Sequence, residues 1–133
     1  MKIKTEGRFE AAHLLDEYRG KCQRLHGHNW KVEVEIEDNR VLVDSCAWGI
    51  LWDFGNLKQI LDEFDHYTLA KDCENNREIL SSLPKDWIVW LPCNPTAEDL
   101  AIIIKKKIYL SIPDFVDCTV RLWENDKCYA EVK

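Results

Sequence analysis

From Lys31 to Glu37 the chain alternates without interruption, with Val32, Val34 and Ile36 on one side and Glu33, Glu35 and Glu37 on the other. A period of two marks an extended strand, because successive side chains point to opposite faces of the pleat. A helix would spread the same six side chains around a cylinder and bury some of the carboxylates. The stretch therefore predicts a half-buried strand. One wet face places it in an antiparallel sheet, since parallel sheets are covered on both sides.

Both ends of the chain repeat the pattern. Ile3, Thr5, Gly7, Phe9, Ala11 and His13 share one side of a strand predicted to end near His13. Cys118, Val120, Leu122 and Glu124 share a face, and a turn at Asn125-Asp126 leads into a last strand, which together predict a terminal hairpin. In between, the apolar spacing becomes helical: Phe54, Leu57, Ile60, Leu61 and Phe64 follow Asp53, a capping residue for the first turn. Leu100, Ile103, Ile104 and Ile108 follow Thr96, an N-cap with Asp99 three residues on. Residues 71–85 read as polar and irregular, and Trp87 to Leu91 as a short extended segment stopped by Pro92. Strands first, helices in the middle and strands last predict an α+β fold. At 133 residues, with no repeat or linker, the chain reads as one domain over 1–133.

Composition narrows the function. The net charge is −6, and the only dense basic run, Lys105 to Lys107, falls inside the second helix, which argues against nucleic acid as a partner. No apolar run approaches the roughly 20 residues needed to span a bilayer, and Met1-Lys2-Ile3-Lys4 lacks a signal-peptide h-region, so a cytoplasmic protein with no membrane partner is expected. Cys22, Cys46, Cys73, Cys93, Cys118 and Cys128 are scattered and form no CxxC pair. Free thiols are expected, and thiolate zinc fingers and thioredoxin-like motifs are excluded.

Chemistry concentrates in residues 13–28, which hold three of the four histidines. His26 and His28, two apart on a strand, project from one face, and His13 at the end of the preceding strand can supply a third imidazole. Three histidines with an open fourth position form a catalytic metal arrangement; taken singly, each is also an ordinary polar residue. Gly27 between them either admits a close backbone approach or marks a bulge. Cys22, beside Lys21 and Arg24, sits where a thiol is readily ionised to act as base or nucleophile, whereas as a fourth ligand it would close the site. His66 follows Asp65, the pairing that orients an imidazole for proton transfer. Glu124 interrupts an apolar face, and a lone buried acid requires a partner.

Taken in order, Phe9-Glu10-Ala11-Ala12-His13, Cys22 with His26-Gly27-His28, Asp53-Phe54 with Leu57-Lys58, Asp65-His66, Asn94-Pro95-Thr96-Ala97-Glu98 and Glu124 resemble the 6-pyruvoyltetrahydropterin and 6-carboxytetrahydropterin synthase family. The resemblance implies a tunnelling fold: an antiparallel sheet with two main helices on one face, whose copies join into a barrel as a trimer-based homo-oligomer or hexamer. It implies a pterin triphosphate as small-molecule substrate and Zn2+ held by His13, His26 and His28. It further implies Cys22 as proton acceptor, Asp65 and His66 as its relay, Glu124 as pterin anchor, and Thr96 and Glu98 as supporting contacts. The last two also suit a simple N-cap and an acid in the first helical turn.

The gap of three residues between Cys22 and His26 resembles the carboxy-forming branch. That branch converts 7,8-dihydroneopterin triphosphate to 6-carboxy-5,6,7,8-tetrahydropterin with release of acetaldehyde and triphosphate, toward queuosine and other deazapurines. The alternatives are the pyruvoyl-forming synthase, acting by triphosphate elimination, and a non-catalytic zinc-binding assembly protein. Ala70 and Asp99 depart from the family pattern, which has asparagine at both positions.

Overall fold

The computed structural model describes residues 1–38, 49–112 and 116–133; Cys46, expected as a free thiol, lies outside them. Two long strands, β1 (Lys2–His13) and β2 (His26–Glu37), form an antiparallel pair that runs unbroken from Lys2↔Glu37 to His13↔His26. The hairpin β5 (Asp117–Asn125) and β6 (Cys128–Val132) continues the antiparallel sheet beside β2. Its turn closes where the Asn125 side-chain oxygen accepts from the backbone N–H groups of Lys127 and Cys128, an Asx turn.

On the other side of β1 the sheet departs from the antiparallel expectation. Strands β3 (Thr68–Lys71) and β4 (Ile88–Leu91) both join parallel, giving the order β4-β3-β1-β2-β5-β6. A parallel neighbour needs a crossover of a dozen or more residues. The stretch that reads as irregular supplies it, with a short helix α2 (Glu74–Ile79) and a 3-10 turn at Lys85–Trp87. Of the six residues of α2 only Asn76 is buried, so the helix carries no apolar stripe that a sequence pattern could reveal.

Two main helices pack on one face, α1 (Gly55–Asp62) against β1 and α3 (Ala97–Tyr109) against β5 and β6. Asp53 supports α1 from one residue further out than a simple cap: its carboxylate accepts from the Gly55 N–H at 2.8 Å, while Phe54, expected on the apolar stripe, is exposed. Thr96 caps α3 as its spacing predicts, accepting from the Asp99 N–H at 3.2 Å.

The core is filled by Phe9, Trp30, Val32, Val34, Ile36, Val120 and Leu122 from the sheet, and by Leu57, Leu61, Leu100, Ile104 and Ile108 from the helices. The other face carries the alternate residues as a charged ladder, including Lys2–Glu35, Lys4–Glu33 and Lys31–Glu33 at 2.9–3.1 Å. Such surface pairs contribute about 0–1 kcal/mol each, so stability comes from the apolar face. No helix among the described residues is long and apolar enough to cross a membrane.

Ile104 is fully buried between α3 and the sheet. Ile104→Ala removes a methylene and two methyl groups where the surroundings cannot collapse fully, and is expected to destabilise the fold by about 2–5 kcal/mol in urea denaturation.

Candidate metal centre and adjoining groove

The antiparallel register that builds the core also assembles the histidines. His13 ends β1 directly opposite His26, which begins β2, and His28 follows two residues later on the same side as Trp30. All three rings therefore stand on the helix-covered face, at the end where the apolar filling stops. Their centroids lie 4.4 Å (His13–His26), 4.9 Å (His26–His28) and 5.1 Å (His13–His28) apart. Trp30 sits beneath them, edge-on to His13 and His28.

The protonation pattern decides what this cluster can hold. The Nδ1 of His13 lies 2.7 Å from the Pro95 carbonyl, and that of His26 lies 2.6 Å from the Arg24 carbonyl. Carbonyls only accept, so in both neutral rings the proton sits on Nδ1 and Nε2 carries the lone pair. These two Nε2 atoms are 3.0 Å apart, where two lone pairs repel unless something positive lies between them. The buried Nε2 of His28 has no hydrogen-bond partner among the described residues; Glu124 Oε1 is 3.2 Å away without the alignment of one. One ligand atom from each histidine falls within 4.8 Å of the others, and among the described residues no cysteine sulfur or carboxylate joins the group. Three convergent imidazoles, two with fixed tautomers, fit a divalent cation.

Burial favours the ligand form of two of the rings, His13 and His28. It pushes the pKa of His13, 1% exposed, down to about 4, with the Pro95 carbonyl opposing it in part and the other two imidazoles adding to it. Burial also lowers that of His28, partly opposed by Glu124.

Beside the cluster opens a groove of about 780 Å³. His28 and Glu124 stand at one wall, Glu10 and His66 at another, and Trp87 at the rim. Glu124 reaches this position at a break in the β5–β6 register between Trp123 and Asn125, the kind of irregularity that re-aims a side chain. Gly27, by contrast, lies in unbroken register, and a Cβ there would make only an ordinary 3.5 Å contact. It marks neither a bulge nor an obligatory close approach.

Asp65 and His66 are brought together as a pair. One Asp65 oxygen accepts from the Glu10 backbone N–H at 2.8 Å, and the other meets His66 Nδ1 at 2.9 Å. The backbone bond, with a smaller contribution from His66, holds the Asp65 carboxyl below its usual range. His66 adopts φ 64°, a conformation uncommon for a residue with a side chain, and its own N–H is tied to the Glu10 carbonyl. The result points an oriented imidazole at the groove.

Other candidate residues lie outside it. Cys22 is a half-buried free thiol in the 3-10 turn Lys21–Gln23, and its backbone carbonyl accepts from Leu15 just beyond His13. Thr96 is occupied in capping α3, and the Glu98 side chain is exposed in the first turn. Neither lines the groove within one chain. Sequence reasoning assigned no role to Trp87, to Glu10 or to the Pro95 carbonyl. Asn-Pro is a turn signal, but a carbonyl leaves no trace in side-chain patterns.

A one-sided α+β sheet ending in a histidine group that can hold a metal ion defines the class: an α+β protein with a candidate three-histidine metal centre. The sequence profile of 6-pyruvoyl tetrahydropterin synthase matches residues 2–133. The chain belongs to this family, whose members are lyases. It is 36% identical to the 6-carboxy-5,6,7,8-tetrahydropterin synthase of Haemophilus influenzae over 98% of this chain and 96% of that one. It is 35% identical to a putative 6-carboxy-5,6,7,8-tetrahydropterin synthase of Pyrococcus horikoshii, over 98% and 88%. The fold matches the crystal structure of Plasmodium vivax 6-pyruvoyl tetrahydropterin synthase with a TM-score of 0.72 at 20% identity, over 99% and 96% of the two chains. The Caenorhabditis elegans 6-pyruvoyl tetrahydropterin synthase matches with a TM-score of 0.63 at 22% identity, over 100% and 94%.

The histidine geometry predicts one divalent cation per chain, measured by elemental analysis after exhaustive dialysis. His13→Ala is expected to lose it, because two imidazoles alone bind too weakly to survive dialysis.

Proposed function

We propose that this protein is a zinc-dependent 6-carboxy-5,6,7,8-tetrahydropterin synthase. Its reaction takes 7,8-dihydroneopterin triphosphate and water to 6-carboxy-5,6,7,8-tetrahydropterin, acetaldehyde and triphosphate. The observation that carries this reading is the convergence of His13, His26 and His28 beside a groove walled by Glu124 and by His66 with its Asp65 partner. The carboxy-forming branch is favoured over the pyruvoyl-forming one by the three-residue gap from Cys22 to His26 and by the names of relatives such as those of Haemophilus influenzae and Pyrococcus horikoshii. Queuosine or a related deazapurine is the proposed destination of the product.

Bound at the three histidines, zinc would serve as Lewis acid and template for the hydroxylated side chain of the substrate. Glu124, at the wall of the groove, accepts the adjacent N–H donors of the amino-pyrimidine edge with its two carboxylate oxygens, the geometry that also suits an arginine fork. This fixes the ring so that its side chain reaches the histidines. Cys22, as thiolate, removes a carbon-bound proton of that side chain. His66, held through Nδ1 by Asp65, relays protons at Nε2. Thr96 and Glu98, which follow Pro95 and lie outside the groove of their own chain, complete the substrate contacts from a neighbouring copy. Among the described residues, strands β4 and β6 are the edges of the sheet, which pairing with neighbouring copies in a homo-oligomeric barrel would satisfy.

Incubating the zinc-loaded protein with 7,8-dihydroneopterin triphosphate is expected to yield the carboxypterin and acetaldehyde, identified by mass spectrometry. A pyruvoyl product would reassign the branch, and no conversion would remove the enzymatic reading. Cys22→Ala is expected to lower turnover by about 10²–10⁴-fold with zinc content unchanged, the usual contribution of a positioned acid or base. Unchanged turnover would exclude the thiol as the base.

A further inference from the structure

The Nδ1 of His13 is held by one backbone carbonyl, that of Pro95, which lies 82 positions away in the chain. What holds that carbonyl in place determines how the imidazole is presented. Pro95 is the centre of a tight turn, in which the Thr96 N–H donates to the Asn94 carbonyl at 2.8 Å. Immediately before it, the side-chain amide of Asn94 spans Asp16, accepting from the Asp16 N–H at 2.9 Å and donating to the Asp16 carbonyl at 3.0 Å. One amide thus reads both backbone groups of a single residue, as a neighbouring strand would. It fastens the segment before α3 to the chain just past His13.

Asp16 is in turn immobilised from a third direction. Its carboxylate takes Lys71 Nζ at 3.1 Å and Asn75 Nδ2 at 3.0 Å, the latter from α2. These two groups, together with the Cys73 thiol, hold the Asp16 carboxyl below its usual range. Asn76, fully buried, ties α2 to the Lys71 carbonyl at 2.9 Å. A continuous chain of bonds therefore runs from α2 through Asp16, Asn94 and Pro95 to His13.

We infer that Asn94, braced by the Asp16–Lys71–Asn75 cluster, is a positioning residue that sets the orientation of the His13 imidazole and thereby the metal affinity of the three-histidine group. The crossover between β3 and β4 then has a task beyond connection: it supplies the brace. This rests on the reading of the histidines as a metal centre. A hydrogen bond weakens steeply once its partners drift beyond about 3.2 Å, so a shift of the Pro95 carbonyl by less than 1 Å releases the ring. Partners in this outer position typically change metal affinity by 10–100-fold.

The test measures zinc affinity by competition with a chromogenic chelator, and the visible absorption of the cobalt-substituted protein, on wild type, Asn94→Ala, Asn75→Ala and Arg77→Ala. Arg77 pairs with Asp72 on the same crossover without touching Asp16, so its variant reports any general weakening of α2. Expected are a 10–100-fold loss of affinity and an altered cobalt spectrum for Asn94→Ala, a smaller change in the same direction for Asn75→Ala, and wild-type values for Arg77→Ala. Asn75→Ala, the milder change, decides the matter if Asn94→Ala does not fold. Wild-type affinity and spectrum in whichever of these two variants fold overturn the inference, as does a loss in Arg77→Ala equal to theirs. A wild-type protein that binds neither zinc nor cobalt overturns the metal reading itself.

Discussion

The register between β1 and β2 is the constraint on which the rest of the structure depends. It pairs Phe9 with Trp30 and, four positions further on, His13 with His26. Sliding one strand by a single residue would turn Trp30, Val32, Val34 and Ile36 to the solvent face and bring Glu33 and Glu35 inward. Each large apolar side chain so exposed forfeits about 1.5–3 kcal/mol, and each buried carboxylate adds several more. The apolar half of the strand therefore enforces a register that its polar end could not enforce alone. His26 and His28 inherit their direction from residues that take no part in chemistry.

Convergence of the rings leaves an electrostatic problem, because backbone carbonyls at Pro95 and Arg24 fix two lone pairs pointing at each other. In an isolated fold this would be a defect. A cation between the nitrogens would turn it into a preformed site, with the ring orientations already set by bonds that do not involve the ion. The groove lies against the same end of the sheet and is lined by His28 and Glu124 together. Across the groove, His66 is held by a carboxylate that is itself fastened to β1. Both walls thus refer their geometry to the same central strands.

Much of this was legible beforehand where one local pattern dominated. The alternation in β2, the apolar side of β1, the terminal hairpin and the capped helix α3 all follow from spacing, because each buries a periodic face. Residues 72–87 were not legible: α2 buries no apolar stripe, and parallel pairing of β3 and β4 is a relation between distant segments. Phe54 misled for a related reason, since its spacing fits the stripe of α1 but the helix starts after it. Among the candidate site residues, the histidines, the Asp65–His66 pair and Glu124 carried side-chain signals. The Pro95 carbonyl and the Asn94 amide did not, because one is backbone and the other resembles an ordinary turn residue.

The sequence by itself determined which faces are apolar, where the strands and main helices lie, and which residues are candidates for metal binding or proton transfer, because these depend on residue type and short-range period. It also carried membership of the 6-pyruvoyl tetrahydropterin synthase family, through motifs spread along the whole chain. Only the tertiary structure decided that His13 and His26 face each other as opposed lone pairs, that Glu124 turns toward His28 at a register break, and that α2 braces the support of His13. Those facts depend on contacts between residues up to 82 positions apart. Such contacts arise when the sheet closes against the helices, and no local pattern encodes them.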